Sequence, residues 1–183
     1  IMFGPKNMGL SDEEALKRAK EAAHFTDLKP ELLEKSPFEL SGGEKRRAAI
    51  AGVIAMDPEV LILDEPAAGL DPKGRDSILD MIKEYQRSTG STVIIVSHSM
   101  EDVARLCTKV YVMNGGKVAM SGSVAEVYSR GNELKNMGLN VPQVTDIFIK
   151  LKERGVDCKT DIYTLEQAQA ELERLLKTGV HRE

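Results

Sequence analysis

Apolar residues recur along the chain with two spacings, one typical of helices and one typical of buried strands. Ser11 and Glu14 form the capping-box pattern that begins a helix, and apolar positions at helical spacing carry it to about His24. A second helical pattern opens at residues 41–43. This helix should end near residues 57–58, because a residue before proline disfavours helical backbone.

Two continuous apolar runs, Val60–Leu63 and Thr92–Val96, have the length and composition of strands. Continuous apolar runs are typical of strands that are buried on both faces of a parallel sheet. Between them, Asp71 and Pro72 carry the N-cap and first-turn signals of a helix, and a further capped helix follows the second run. This alternation of helix and strand predicts an α/β domain with parallel strands.

A third pair of apolar segments predicts a β-hairpin rather than a crossover. Lys109–Met113 and Lys117–Ser121 are separated only by Asn114, Gly115 and Gly116. These turn residues tolerate the left-handed backbone that a tight hairpin requires. We expect this antiparallel hairpin to close the α/β domain.

The pattern changes beyond about residue 132, where helical spacing returns. Helices are expected over residues 142–154 and 164–177, which makes the end of the chain a small helical appendage. We therefore expect two parts, residues 1–131 and 132–183. The last helix carries a stripe of leucines at Leu165, Leu172 and Leu176.

Composition and charge narrow the classes of protein. Apolar residues make up 42% of the chain and charged residues 30%, which fits a globular protein and not a disordered one. The net charge of -4 gives no electrostatic reason to expect a nucleic-acid partner. Cys107 and Cys158 form no metal or disulfide pattern, so a reducing cytosol fits best.

Membrane attachment would have to be peripheral, because no apolar run approaches the roughly 20 residues that cross a bilayer. The start of the chain also lacks the regions of a signal peptide. It opens with Ile1 and continues with an apolar stretch. We expect the chain to be a piece of a longer protein, truncated at its N-terminus.

The first segment with candidate chemistry lies at the start of the second helix, over Leu40, Ser41, Gly42, Gly43 and Glu44. A hydroxyl and two amides without side chains stand where unpaired N–H groups and the helix dipole attract an anion. This arrangement could hold a phosphate. A serine N-cap followed by a flexible glycine pair explains the same string equally well.

Two adjacent carboxylates, Asp64 and Glu65, end the first buried strand. Ligands of parallel sheets gather beyond the carboxyl ends of the strands, where one acid can hold magnesium and the next can orient an attacking water. A strand that runs into an acidic turn is the slightly stronger alternative for this segment taken alone. His98 follows the second strand and could donate to a phosphoryl oxygen, although a lone histidine there is more often a hydrogen-bonded cap.

Taken together, these segments resemble the second half of an ABC-type ATPase, a P-loop NTPase-like α/β domain. The resemblance covers Ile1 to about Ser129, and it departs from the family at Glu44, where glutamine is most common. Leu40–Glu44 resembles the signature motif, Val60–Glu65 the Walker B motif, Ala68–Asp71 the D-loop and Val96–His98 the switch histidine.

A closer resemblance points to the ATPases of energy-coupling-factor importers, which take up cobalt, nickel or vitamins. It is carried by Phe3–Asn7, by Lys45–Gly52 and by the appended tail. Without its neighbours, the basic run Lys45–Arg47 would be read as a solvated helix face. In this subfamily the tail is associated with pairing of two ATPase subunits, whereas the leucine stripe is equally compatible with packing on its own domain.

The resemblance implies ATP and Mg²⁺ as ligands, and it implies a role for each matched residue. Asp64 would be the magnesium ligand, Glu65 the general base or water-orienting residue, and His98 the sensor of the terminal phosphate. Asp71 would lie at the subunit boundary. Ser41, Gly42, Gly43 and Glu44 would contact the ATP held by a partner subunit.

The implied partners are a second ATPase subunit, identical or not, and membrane-embedded transporter subunits, on the cytoplasmic face of the cell membrane. No G-x-x-x-x-G-K-[ST] loop occurs in the sequence, so the chain alone is expected to be inactive. Two alternatives remain. One is the head of a DNA-repair or chromosome-organising ATPase, whose coiled-coil arms and basic surface are not found here. The other is a non-catalytic interaction fragment.

Overall fold

The computed structural model describes residues 1–177, and the chain divides into two compact units, Ile1–Val96 and Ser97–Glu183. The first unit combines helices with a pair of strands. Its elements are α1 (Phe3–Asn7), α2 (Asp12–Phe25), α3 (Gly42–Ile54), β1 (Val60–Asp64), α4 (Pro72–Thr89) and β2 (Thr92–Val96), with short 3-10 turns at Pro30–Leu32 and Pro37–Glu39.

Helices α2 and α3 both begin at a capping box. The Glu14 N–H donates to the Ser11 hydroxyl oxygen at 3.3 Å, and the Ser11 N–H donates to the Glu14 carboxylate at 3.0 Å. The predicted start of α2 is thereby confirmed, and its end at Phe25 lies one residue beyond the expected one. The buried residues of α2 are all alanines, which allows a close approach to the alanines of α3.

Strands β1 and β2 pair in parallel, from Val60 beside Thr92 to Asp64 beside Val96. Leu61 and Leu63 are buried on one face of this pair, against the apolar side of α4. The prediction that both faces are buried is wrong for the residues described: Ile62, on the other face, is 64% exposed. A continuous apolar run fixes the strand, but the number of layers that cover it depends on the elements that pack there.

The second unit, of which residues 97–177 are described, contains a hairpin and five helices within that range. Strands β3 (Lys109–Asn114) and β4 (Lys117–Ser123) pair antiparallel, and Gly115 and Gly116 form the turn at φ values of 55° and 74°. The predicted hairpin is therefore confirmed. The elements are α5 (Met100–Leu106), β3 (Lys109–Asn114), β4 (Lys117–Ser123), α6 (Val124–Tyr128), α7 (Gly131–Asn136), α8 (Gln143–Glu153) and α9 (Leu165–Lys177).

The expected helices at the end of the chain are present as α8 and α9. Phe148 of α8 and Leu175 of α9 share a small core with Cys158 and Ile162. A second cluster, which includes Val112, Tyr128 and Tyr163, takes residues from both sides of position 131, and the division at that position stays a prediction. Across residues 1–177, no helix combines the length and apolarity needed to cross a membrane.

Candidate functional site

The start of α3 is held by contacts among its own residues. The Ser41 N–H donates to the Glu44 carboxylate at 2.7 Å, and the Glu44 N–H donates to the Ser41 hydroxyl oxygen at 3.3 Å. The hydrogen bonds from Ser41 hold the pKa of Glu44 below its usual range. Glu44 thus has a local role as a cap, which a glutamine could also fill.

Gly42 and Gly43 occupy the first turn of α3 without an internal reason for being glycine. A Cβ added to either would meet no atom of the described chain within 4 Å, and neither backbone has a positive φ. Within residues 1–177, no hydrogen bond is formed by either amide. Glycine costs up to about 1 kcal/mol in a helix relative to alanine. The pair therefore favours a close approach by something outside this chain over a simple cap.

The acidic turn after β1 has an unusual backbone. Asp64 is the exposed last residue of the strand, and Glu65 adopts a φ of 46°, which is rare for a residue with a long side chain. The Glu65 N–H donates to the Val96 carbonyl at 2.9 Å, and its carbonyl accepts the Ala68 N–H at 3.2 Å. Strained backbone of this kind often marks functional sites. It favours the functional interpretation over an ordinary acidic turn.

Parallel pairing places the end of β2 beside the acidic residues. Asp64 lies next to Val96 in the register, so both strands end at the same edge of the sheet. His98 follows Val96 by two residues, is exposed, and belongs to the second compact unit. The structure thus brings Asp64 and Glu65 together with the end of β2, and it places His98 immediately after that strand.

Asp71 is the N-cap residue of α4, as the sequence predicts, but its side chain makes no capping hydrogen bond. Its carboxylate lies over Gly74, where an added Cβ would be only 2.7 Å from the Asp71 Oδ1. Asp71 itself is exposed. Its side chain is therefore available to a contact outside this chain.

Two arginines that the sequence left as a possible solvated face make specific contacts. The Arg47 side chain is 17% exposed, and its guanidinium donates to the Thr26 carbonyl at 2.6 Å and to the Ser77 hydroxyl at 2.7 Å. Arg46 donates to the Ala68 carbonyl at 3.3 Å, which links α3 to the acidic turn. Only their position after Gly43 could have indicated these contacts, because their partners lie more than 20 residues away in sequence.

The donor set fits a magnesium ion that is held mainly by phosphates and water. No cluster of three or more histidine, cysteine, aspartate or glutamate residues with metal-binding geometry occurs in the described part of the chain. Magnesium nucleotide sites typically use one or two protein carboxylates beside phosphate oxygens and waters. The exposed Asp64 carboxylate at the end of β1 satisfies that requirement, whereas a site built from protein ligands alone would not fit.

A comparison with protein families gives a match to one family over half of the chain. Residues 11–102 match the family described as "AAA domain, putative AbiEii toxin, Type IV TA system", and this segment contains every candidate site residue. The fold, with its parallel strands and antiparallel hairpin, is shared with ABC ATPase cassettes. The fold defines the class: the chain has the fold of part of an ABC ATPase cassette.

A curated relative and a solved structure show which ATP-binding proteins the chain resembles. The chain is 52% identical over 180 residues to the energy-coupling factor transporter ATP-binding protein EcfA2 of Clostridium acetobutylicum, covering 98% of this chain and 63% of the relative. It is 38% identical to the structure of cbiO1 from Clostridium perfringens, part of the ABC transporter complex cbiONQ, with a TM-score of 0.64 over 84% of this chain and 57% of the other.

A further solved structure, a dimeric bacterial ABC transporter cassette, is 31% identical, with a TM-score of 0.56 over 63% of this chain and 49% of the other. The chain belongs to the family that it matches over residues 11–102. Over nearly its whole length it is also similar to ATP-binding proteins of energy-coupling-factor transporters. It spans 63% of the length of the Clostridium acetobutylicum relative.

Proposed function

We propose that this chain forms the signature and Walker B part of an ATP-hydrolysing subunit that powers an energy-coupling-factor importer. The observation that carries the proposal is the first turn of α3. There, two glycines have open space at the position of a Cβ, and their amides have no hydrogen-bond partner in the described chain. Amides at a helix start bind phosphate oxygens well. The identity with transporter ATP-binding proteins supports ATP as the phosphate compound.

The site is proposed to be completed by a second subunit. Ser41, Gly42 and Gly43 would contact the phosphates of ATP held by the partner, with Glu44 as the cap that orders this turn. The sequence contains no G-x-x-x-x-G-K-[ST] loop, so these contacts alone would not hold ATP tightly. A dimeric cassette among the solved structures supports pairing of this kind. Asp71 would contact the partner at the subunit boundary.

The acidic turn is proposed to carry the hydrolytic chemistry. Asp64 would hold Mg²⁺, whose charge would stabilise the phosphate oxygens when it is bound. The Glu65 carboxylate would accept a hydrogen bond from the attacking water and orient it. His98 would donate an N–H to the terminal phosphate. It follows the last residue of β2 by two positions, and ligands of parallel sheets gather beyond the carboxyl ends of the strands.

Membrane-embedded subunits would convert closure and reopening of the ATPase pair into transport. We propose that the protein lies on the cytoplasmic face of the cell membrane, because its relatives are named as ATP-binding proteins of transporters. Cobalt, nickel or a vitamin is the proposed solute. The names of the relatives favour this transporter function over a DNA-repair head.

The test is Glu65→Gln in a full-length protein that contains this chain. The amide keeps the size of the carboxylate but accepts the hydrogen bond of the water more weakly and cannot take its proton. Loss of a general base typically costs about 10²- to 10⁴-fold in rate, so phosphate release should fall by that factor while ATP binding survives. Near-normal hydrolysis in this variant would refute the catalytic role of Glu65.

Two further variants separate the proposed roles. Asp64→Asn should weaken the effect of magnesium on ATP binding, which Glu65→Gln should leave unchanged. His98→Ala should lower hydrolysis and also loosen ATP, because it removes a phosphate contact. An unchanged rate in His98→Ala would leave that histidine as a strand cap.

A further inference from the structure

Three consecutive basic residues on α3 occupy three different environments. Lys45 is exposed, and within residues 1–177 its side chain forms no hydrogen bond or ion pair. Arg47 is largely buried and bonds to the end of α2 and to Ser77 of α4. Arg46 is half-buried and reaches the Ala68 carbonyl. Of the three, Arg46 is the residue that forms a hydrogen bond with Ala68, at the far end of the turn that carries Glu65.

Ala68 is connected in turn to Glu65 and to the sheet. Its N–H donates to the Glu65 carbonyl at 3.2 Å, and the Glu65 N–H donates to the Val96 carbonyl at 2.9 Å. A continuous series of hydrogen bonds thus runs from the guanidinium of Arg46 to the end of β2. The turn that carries Glu65 is held by the sheet on one side and by α3 on the other.

The hydrogen bonds at the two ends of this turn matter because the Glu65 backbone is strained. Its φ of 46° lies in the left-handed region, which residues other than glycine occupy only when the surrounding structure holds them there. Pro66 and Ala67, which follow it, are buried and limit movement in the middle of the turn. Arg46 is the contact that fixes its far end at Ala68.

We propose that Arg46 is a positioning residue that holds the Glu65 turn at a fixed place relative to the phosphate-facing start of α3. This inference rests on the proposed function, because it assigns Arg46 to the geometry of the same site. Arg46 lies only three residues after Gly43 on α3. Its side chain therefore connects the start of this helix, where phosphate would bind, to the turn that carries Glu65. A small displacement of a water-orienting carboxylate is enough to slow hydrolysis.

The experiment compares Arg46→Met, Arg46→Lys and Lys45→Met in the full-length protein. Methionine keeps much of the apolar stem of Arg46 but cannot donate to the Ala68 carbonyl. We expect Arg46→Met to lower kcat about fivefold, which corresponds to the net free energy of one lost hydrogen bond. The KM for ATP should stay within about twofold of wild type. Arg46→Lys should recover most of the rate, since its ammonium can still donate. Lys45→Met should match wild type.

A second comparison tests whether Arg46 acts through Glu65. In a Glu65→Gln background, Arg46→Met should change the residual single-turnover rate by less than about twofold, because the group that it positions is already gone. The midpoint of thermal unfolding should be nearly the same for Arg46→Met and Lys45→Met. Arg47→Met should lower the midpoint, because the Arg47 side chain is largely buried and donates two hydrogen bonds.

The outcomes separate this inference from the proposed function. Hydrolysis that falls in Glu65→Gln but not in Arg46→Met would overturn the role of Arg46 alone. The same fivefold loss of kcat with and without Glu65, or a loss that lysine does not restore, would also overturn it. A full-length protein that hydrolyses no ATP would overturn both.

Discussion

Helix α9 carries one buried leucine and two exposed leucines near its end. Replacing the buried leucine should weaken folding, whereas replacing the exposed leucines should weaken assembly. Leu175 is 7% exposed and packs with Phe148 and Ile162, whereas Leu172, one turn earlier, is 47% exposed. Leu176 is 81% exposed. The sequence left open whether the leucine stripe packs on its own domain or pairs subunits, and this difference in exposure turns the question into a measurable one.

The expected magnitudes follow from burial. Leu175→Ala removes a nearly fully buried side chain and leaves a cavity, which costs about 2–4 kcal/mol of the free energy of unfolding. The same change at Leu176 removes mostly exposed atoms and should cost about 0.5 kcal/mol or less. Leu172→Ala should fall between them, near 1 kcal/mol. Small domains are stable by only about 5–15 kcal/mol, so the difference is easily measured.

Urea unfolding followed by circular dichroism would give the free energies for all three variants. The mass in solution, measured by light scattering with and without magnesium ATP, would report on pairing of the full-length protein. If the exposed leucines contact a second subunit, the double variant of Leu172 and Leu176 should weaken pairing while folding is nearly unchanged. In Leu175→Ala, the main effect should be a loss of folding stability.

Two results would refute this reasoning. A loss of stability at Leu176 as large as that at Leu175 would show that the stripe is internal after all. Unchanged pairing of the double variant, with and without ATP, would show that the exposed leucines do not form the subunit contact. Either result would remove the helical end of the chain from the proposed pairing surface.

Two other predictions concern pH and nucleotide. Arg174 and the Lys159 N–H both donate to Glu171, which lowers its pKa to about 2, so its stabilising effect should be complete above its ordinary pKa and lost as the pH falls toward 2. The free energy of unfolding in urea, measured from pH 6 to pH 2, should therefore depend less on pH in Glu171→Gln than in wild type. An equal pH dependence in the two proteins would contradict this prediction. The 183-residue chain alone should bind magnesium ATP only weakly in calorimetric titration, and micromolar affinity would show that the nucleotide site has been misassigned.

The sequence by itself predicted the features whose causes are local. A capping box needs only a serine and a glutamate three residues apart, and the hairpin turn needs only glycines that tolerate positive φ. The sequence therefore predicted the capping box at Ser11 and the hairpin turn at Gly115, and the structure confirms both. The parallel α/β arrangement and the family resemblance also followed from the order of elements and motifs, because that order can be read directly from the sequence.

Tertiary structure decided which of several chemically equal residues does what. Leu172 and Leu175 differ in burial, Ile62 is exposed although it lies in a continuous apolar run, and Arg46 reaches a carbonyl 22 residues away in sequence. The positive φ of Glu65 likewise follows no local signal. Burial and hydrogen-bond partners of this kind depend on which distant segments meet, and the free energy of those contacts is shared among residues that no short window contains together.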